Sequence, residues 1–238
     1  MNQESRKAEI EGMLEGIEDE KVKAQVTKAL NYIGDPSRRL IVTYGSARSR
    51  ESGYKELALK LAQFAYEQNP EDPYFLLELC NCLGQPQEVV NEIEQYSQRV
   101  DLNSLPGDQR AKVIVTLADG YKGAGKISES IQTLEESKTE LARGIELLAE
   151  LYYQTGQPQK AIDLLYERLK WMGKLSQDMA FWMAKSFDTL GDYSQALEKL
   201  EKFKDDASIK PIYNEARRKL GLPVESEGIP QSGGSSSC

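Results

Sequence analysis

The 238-residue chain contains no histidine. That absence removes the commonest general base and metal ligand, and with it any Ser-His-Asp or Cys-His catalytic arrangement. Cysteine is nearly as scarce. The three present, Cys80, Cys82 and Cys238, are too few for a disulfide framework in a chain of this size and fit a reducing compartment, so a cytoplasmic location is expected. Cys80 and Cys82 stand two apart, which on a helix turns their side chains about 200° from one another. No second pair completes a tetrahedral metal site, and both read as small buried hydrophobes. Long apolar runs are also missing: no stretch reaches the roughly eighteen residues of a membrane span. The start, Met1 to Lys7, is polar and lacks the apolar core of a secretory leader. Cations are in the minority, with 30 Lys and Arg against 38 Asp and Glu and a net charge of −8, which disfavours DNA or RNA as a partner.

What the chain does contain is a repeating pattern of a small residue, an aromatic three positions on, and a glycine four beyond that. It reads Ala118-x-x-Tyr121-x-x-x-Gly125, then Ala149-x-x-Tyr152-x-x-x-Gly156, then Ala184-x-x-Phe187-x-x-x-Gly191. Five residues past each glycine stands another small residue: Ser130, Ala161 and Ala196. The successive glycines are 31 and 35 residues apart, the spacing of helix-turn-helix repeats. Ile145, Leu148, Ala149 and Tyr152 fall three and four apart, one stripe of an amphipathic helix. Alanine is needed where a second helix crosses closely, and glycine where the helix ends in a left-handed residue. Pro158 suits the first turn of the next helix, where its missing N–H would have no partner anyway.

This spacing resembles the tetratricopeptide repeat over roughly residues 39–206. Earlier copies are worn. Leu76-Leu77-x-x-Cys80-x-x-x-Gly84 with Val89 and Ile93 keeps the period, and Gly53, Ala58, Ala65 and Asn69-Pro70 look like the second half of another repeat. The resemblance implies an all-α, right-handed α-solenoid of stacked antiparallel helix pairs. About five repeats are expected at residues 36–221, preceded by a helical hairpin at 1–35 that serves as a cap or a docking element. A last helix, Ser208 to Leu220, is expected to cap the stack with Ile212, Ala216 and Leu220 inward, and residues 222–238 read as a flexible Gly/Ser-rich tail. Cys238 there reads as incidental, and Trp171 and Trp182 are assigned to the core between repeats.

One segment imitates a phosphate-binding loop. Gly120 to Lys126 fits G-x-x-x-x-G-K, but the following residue is Ile127 where magnesium needs Ser or Thr, and the preceding segment carries the helical stripe of the repeat. No cofactor, metal or catalytic residue is expected, and the chain is read as non-enzymatic.

The remaining chemistry lies on the face of each first helix opposite its packing stripe, which the resemblance places on the concave side. The candidate partner-binding residues are Tyr74, Glu78 and Asn81 in the worn copy, and Lys112, Val115, Asp119 and Lys122 in the next. Arg143, Glu146, Glu150 and Tyr153 follow, then Asp178, Phe181, Lys185 and Asp188, with Phe181 the leading candidate. Acids, bases and rings alternate, which suits an extended or helical peptide. The family's paired Lys and Asn clamp for a carboxylate tail is not matched, since the equivalent row reads Glu78, Asp119, Glu150 and Lys185. A basic or neutral protein segment is the expected partner of an adaptor, scaffold or assembly factor. A structural subunit that self-associates stays open as the alternative, and a ligand sensor or enzyme as a more distant one.

Overall fold

In a computed structural model the described residues are 3–137 and 141–224, so Cys238 and all but the first three residues of the expected tail lie outside them. The described residues hold thirteen α-helices. The N-terminal hairpin is α1 (Gln3–Glu15) and α2 (Glu20–Tyr32). Five helix pairs follow: α3 (Arg39–Glu51) with α4 (Lys55–Gln68), α5 (Pro73–Cys82) with α6 (Pro86–Arg99), and α7 (Gly107–Gly123) with α8 (Ile127–Ser137). Then come α9 (Ala142–Gln154) with α10 (Pro158–Met172) and α11 (Gln177–Leu190) with α12 (Tyr193–Leu200), and α13 (Lys210–Lys219) stands last. The fold is an all-α array of helix pairs, and it divides into two compact units at Gly144/Ile145.

Local chemistry sets the boundaries of these helices. Asp19, Asp72, Ser176 and Asp192 cap α2, α5, α11 and α12 by accepting first-turn backbone N–H groups, each cap contributing about 1 kcal/mol. Pro73, Pro86, Pro158 and Pro211 occupy first turns, where the lost N–H costs nothing. Gly125, Gly156 and Gly191 take φ of +78°, +71° and +67°, which makes them the turn glycines the pattern calls for.

In the first unit, α3 is covered by α2 on one side and by α4 and α5 on others. Ile10, Val22, Val26, Ala29, Leu57, Leu61 and Phe64 form a core that ties the hairpin to α4. A second core runs from Val42 through Phe75, Leu76, Ile93 and Tyr96 to Val113. Within a pair, the small positions meet. Ser130 Oγ donates to the Ala118 carbonyl at 2.7 Å, and Ser46 Oγ donates to the Ala58 carbonyl at 3.1 Å. The two buried hydroxyls thus bond across the crossing in opposite directions, one from the second helix and one from the first. Each such bond contributes about 1 kcal/mol net.

Two expectations are corrected. Leu220 is 42% exposed, because α13 ends at Lys219 and the residue lies past its packing face, while Ile212 and Ala216 are buried. Trp171 is 68% exposed in the last turn of α10, where the stripe of Ala161, Ile162, Leu165 and Leu169 already supplies the buried side.

The α2–α3 contact also depends on a glycine. A Cβ built at Gly45 would stand 2.8 Å from Ala29 Cβ and 3.3 Å from Leu61 Cδ2, with nothing free to yield. We expect Gly45→Ala to lower the free energy of unfolding by about 1–3 kcal/mol through overpacking. Gly12→Ala, where the added methyl meets nothing within 4 Å, should raise it by about 0.5–1 kcal/mol. Urea midpoints of the two variants check the pair of signs.

Candidate partner-binding surface

In the second unit, α13 lies against α12, and a cleft of about 380 Å³ opens between α11, the start of α12 and α13. Its floor is apolar: Ala184, Phe187, Ala196, Ile212 and Ala216. Phe181 stands on its wall, half exposed, with its ring edge-on to Trp182 at 5.0 Å between centroids. Trp182 in turn meets Tyr153 at 5.5 Å, so three rings of α9 and α11 brace one another. The rim is charged on both signs. Lys185 Nζ stands 5.6 Å from the Phe181 ring centre, and Lys219 Nζ lies 3.8 Å from Asp188. The Tyr193 hydroxyl donates to Asp188 at 2.7 Å. That bond, and after it the Lys219 ammonium, holds the Asp188 carboxyl below the usual carboxylate range.

In the first unit the corresponding faces of α3, α5 and α7 are joined by charge and ring contacts. Tyr74 takes the Arg39 guanidinium at 4.2 Å and the Lys112 ammonium at 5.4 Å from its ring centre. Asp119 pairs with Arg143 at 2.8 Å. A shallower cleft of about 300 Å³ lies between α5, α6 and α7, lined by Asn81, Pro86, Thr116, Asp119 and Gly120. Beside it a polar cluster is sealed between α3 and α5. Glu78 is buried, stands 2.9 Å from Ser46 Oγ, and has Arg50 Nη2 at 3.9 Å. Burial raises its pKa, against the pull of Ser46 and Arg50. Burial likewise pushes the Cys80 thiol up to about 12 and the Cys82 thiol up to about 11. No group of three His, Cys, Asp or Glu side chains among the described residues is arranged to hold a metal ion.

No protein-family model matches the sequence, and no curated protein matches it either. Solved structures do match the fold. A putative kinesin light chain of Podosopora anserina, built of nearly identical TPR-like repeats, superposes with a TM-score of 0.56 at 22% identity, covering 77% of this chain and 98% of that one. The MamA protein superposes with a TM-score of 0.53 at 17% identity, covering 85% of this chain and 98% of that one. The fold is that of the tetratricopeptide-repeat proteins.

Within this tetratricopeptide-repeat fold the candidate residues separate into three groups. Phe181, Lys185 and Asp188 come together in the α11–α13 cleft, and Asn81 with Asp119 in the shallower one. Tyr74 and Lys112 share a ring contact, and Arg143 joins Asp119. Glu146, Glu150, Tyr153 and Asp178 lie along α9 and α11. Glu146 accepts from Ser176 at 2.6 Å, Glu150 accepts from Gln154 at 2.9 Å, and Asp178 is exposed in the first turn of α11. Lys122 stands half exposed in the last turn of α7. Two are displaced from the open face. Val115 is 6% exposed, since α5 and α6 both pack against α7, and Glu78 is 8% exposed, since α3 closes over it.

Residues that the sequence did not single out complete the picture. Glu215 and Lys219 of α13 form the far wall of the larger cleft, and only the folded return of that helix brings them there. Gly120 and Gly123 also find their reason. A Cβ at Gly120 would stand 3.1 Å from Val90 Cγ2, and one at Gly123 would stand 2.7 Å from Pro86 Cγ, so both glycines admit the start of α6.

The raised pKa of Glu78 fixes the sign of a pH effect. The protonated acid is favoured in the folded chain, so its contribution is fully present below the ordinary carboxylate pKa and is lost as pH climbs through the raised one. Glu78→Gln keeps a polar group of the same shape beside Ser46 without the charge. Its unfolding midpoint should therefore gain on that of the wild type as pH rises above the usual carboxylate range. Paired denaturation curves from pH ~4 upward check this.

Proposed function

We propose that the chain is a non-enzymatic protein-interaction module, an adaptor or scaffold that holds a partner segment on the exposed faces of its first helices. The observation that carries this reading is the half-exposed Phe181 ring on the wall of an apolar-floored cleft. A large ring kept in water beside a concave apolar surface has no role in the core, since Met183 and Phe187 of the same helix already fill it. An apolar side chain of a partner would fill the cleft, and the rim of Lys185, Asp188, Glu215 and Lys219 balances in sign, which suits a neutral segment. The tetratricopeptide-repeat fold supports protein as the partner class, and the cysteine usage supports a cytoplasmic setting.

A second reading, a self-associating structural subunit, is favoured by Trp171 at 68% and Met172 at 44% exposure, adjacent at the end of α10. Sedimentation of the chain across a concentration series separates the two.

Affinity capture with the full chain beside Phe181→Ala tests the cleft. The substituted ring is exposed, so folding should be intact. A captured protein should bind the variant about tenfold or more weakly, as expected for loss of an aromatic anchor. Equal binding to both chains would remove the α11–α13 cleft as the site.

A further inference from the structure

The chain leaves the larger cleft from the cleft's own wall. Lys219, the last residue of α13, stands on the rim, and the residues that follow turn back at once. Gly221 takes φ of +69°, the Leu222 N–H bonds the Arg217 carbonyl at 2.8 Å, and Arg217 Nε donates to the Pro223 carbonyl at 2.6 Å. The described residues therefore end, at Val224, beside the last turn of the helix that walls the cleft.

The sequence continues Glu225-Ser226-Glu227-Gly228-Ile229-Pro230-Gln231-Ser232, then only Gly and Ser to Cys238. Residues 225–238 contain one branched aliphatic side chain, Ile229, and it lies in the uncharged run 228–232. Pro230 follows it. A residue before proline is steered toward an extended backbone, so less conformational freedom is lost when it is held. Ile229 stands five residues past Val224, a reach of up to ~17 Å, against a helix diameter of ~10 Å. The cleft is in range from either side of α13.

We propose that the chain's own segment around Ile229 and Pro230 occupies the α11–α13 cleft, with Ile229 on the apolar floor beside Phe181, and that it competes there with a partner. The inference rests on the reading given above for this cleft and adds its regulation: the site is closed by its own chain until a partner displaces the segment. The occupant matches the site in chemistry. One apolar side chain in an uncharged run meets a floor of Ala184, Phe187, Ala196, Ile212 and Ala216 and a rim balanced in sign. It is also tethered to the wall. A short tether gives an effective concentration of ~1 mM, so a contact of only ~0.1 mM intrinsic affinity is formed about nine-tenths of the time. A partner then finds the cleft open in about one chain in ten and binds about tenfold more weakly than to an open site.

Isoleucine-selective methyl labelling of the full chain tests the proposal by NMR, with Ile229→Val identifying the resonance. The Ile229 methyl should be displaced from its random-coil shift and show nuclear Overhauser contacts to the Phe181 ring protons. Both should persist on tenfold dilution, as a contact within one chain requires, and the displacement should shrink in Phe181→Ala. A captured partner should bind Ile229→Asp about tenfold more tightly than wild type. A random-coil methyl, contacts to any other surface, or equal partner binding by Ile229→Asp would overturn the proposal. A displacement that fades on dilution would also overturn it, and would assign the segment to the cleft of a second copy. The methyl readout needs no partner. It can therefore fail while Phe181→Ala still weakens capture, or hold while capture is unchanged, which separates this inference from the partner reading.

Discussion

The close crossing of the two helices within a pair is the constraint on which the rest of this structure depends. Ser130 can reach the Ala118 carbonyl, and Ser46 the Ala58 carbonyl, only because no bulk separates the backbones. The pair of α5 and α6 shows how far the rule bends. Its small positions hold Leu77 and Val89, both half buried, and the close approach is moved to the next contact. There Gly120 and Gly123 of α7 receive Val89, Val90 and Pro86 of α6. Bulk gained at one crossing is offset by glycine at its neighbour.

What could be read from the sequence follows from this division between local and distant causes. The turn glycines and the alanines at the crossings were legible because a single backbone conformation or a single helix partner demands them. Gly45 was not, because its reason is Ala29, which belongs to another helix pair. The α11 row was legible at Phe181, Lys185 and Asp188, where helical periodicity alone puts three residues on one face. The same periodicity failed at Val115 and Glu78. Whether a face opposite the stripe stays open depends on how closely the preceding helices lie, and no residue within α5 or α7 encodes that. The far wall of the cleft was missed for a related reason: Lys219 reaches Asp188 only through the return of α13.

The polar groups divide along similar lines. Where a charge meets solvent, as at Asp188, its pairing is with a hydroxyl and an ammonium that keep it ionised. Where the fold encloses one, as at Glu78, the balance shifts toward the neutral acid, and the neighbouring thiols are held protonated by the same burial.

Tyr74 lends a surface of the first unit a mechanical property. Its ring is contacted by a side chain from α3 and by one from α7, so one residue ties together the first helices of three successive pairs. Each cation–ring contact is worth about 0.5–1 kcal/mol at such an exposure. Flexing this face would have to strain both contacts at once, since they share a ring. The three first helices are therefore coupled at the surface as well as through the core, and a segment arriving there meets a ring already held in place.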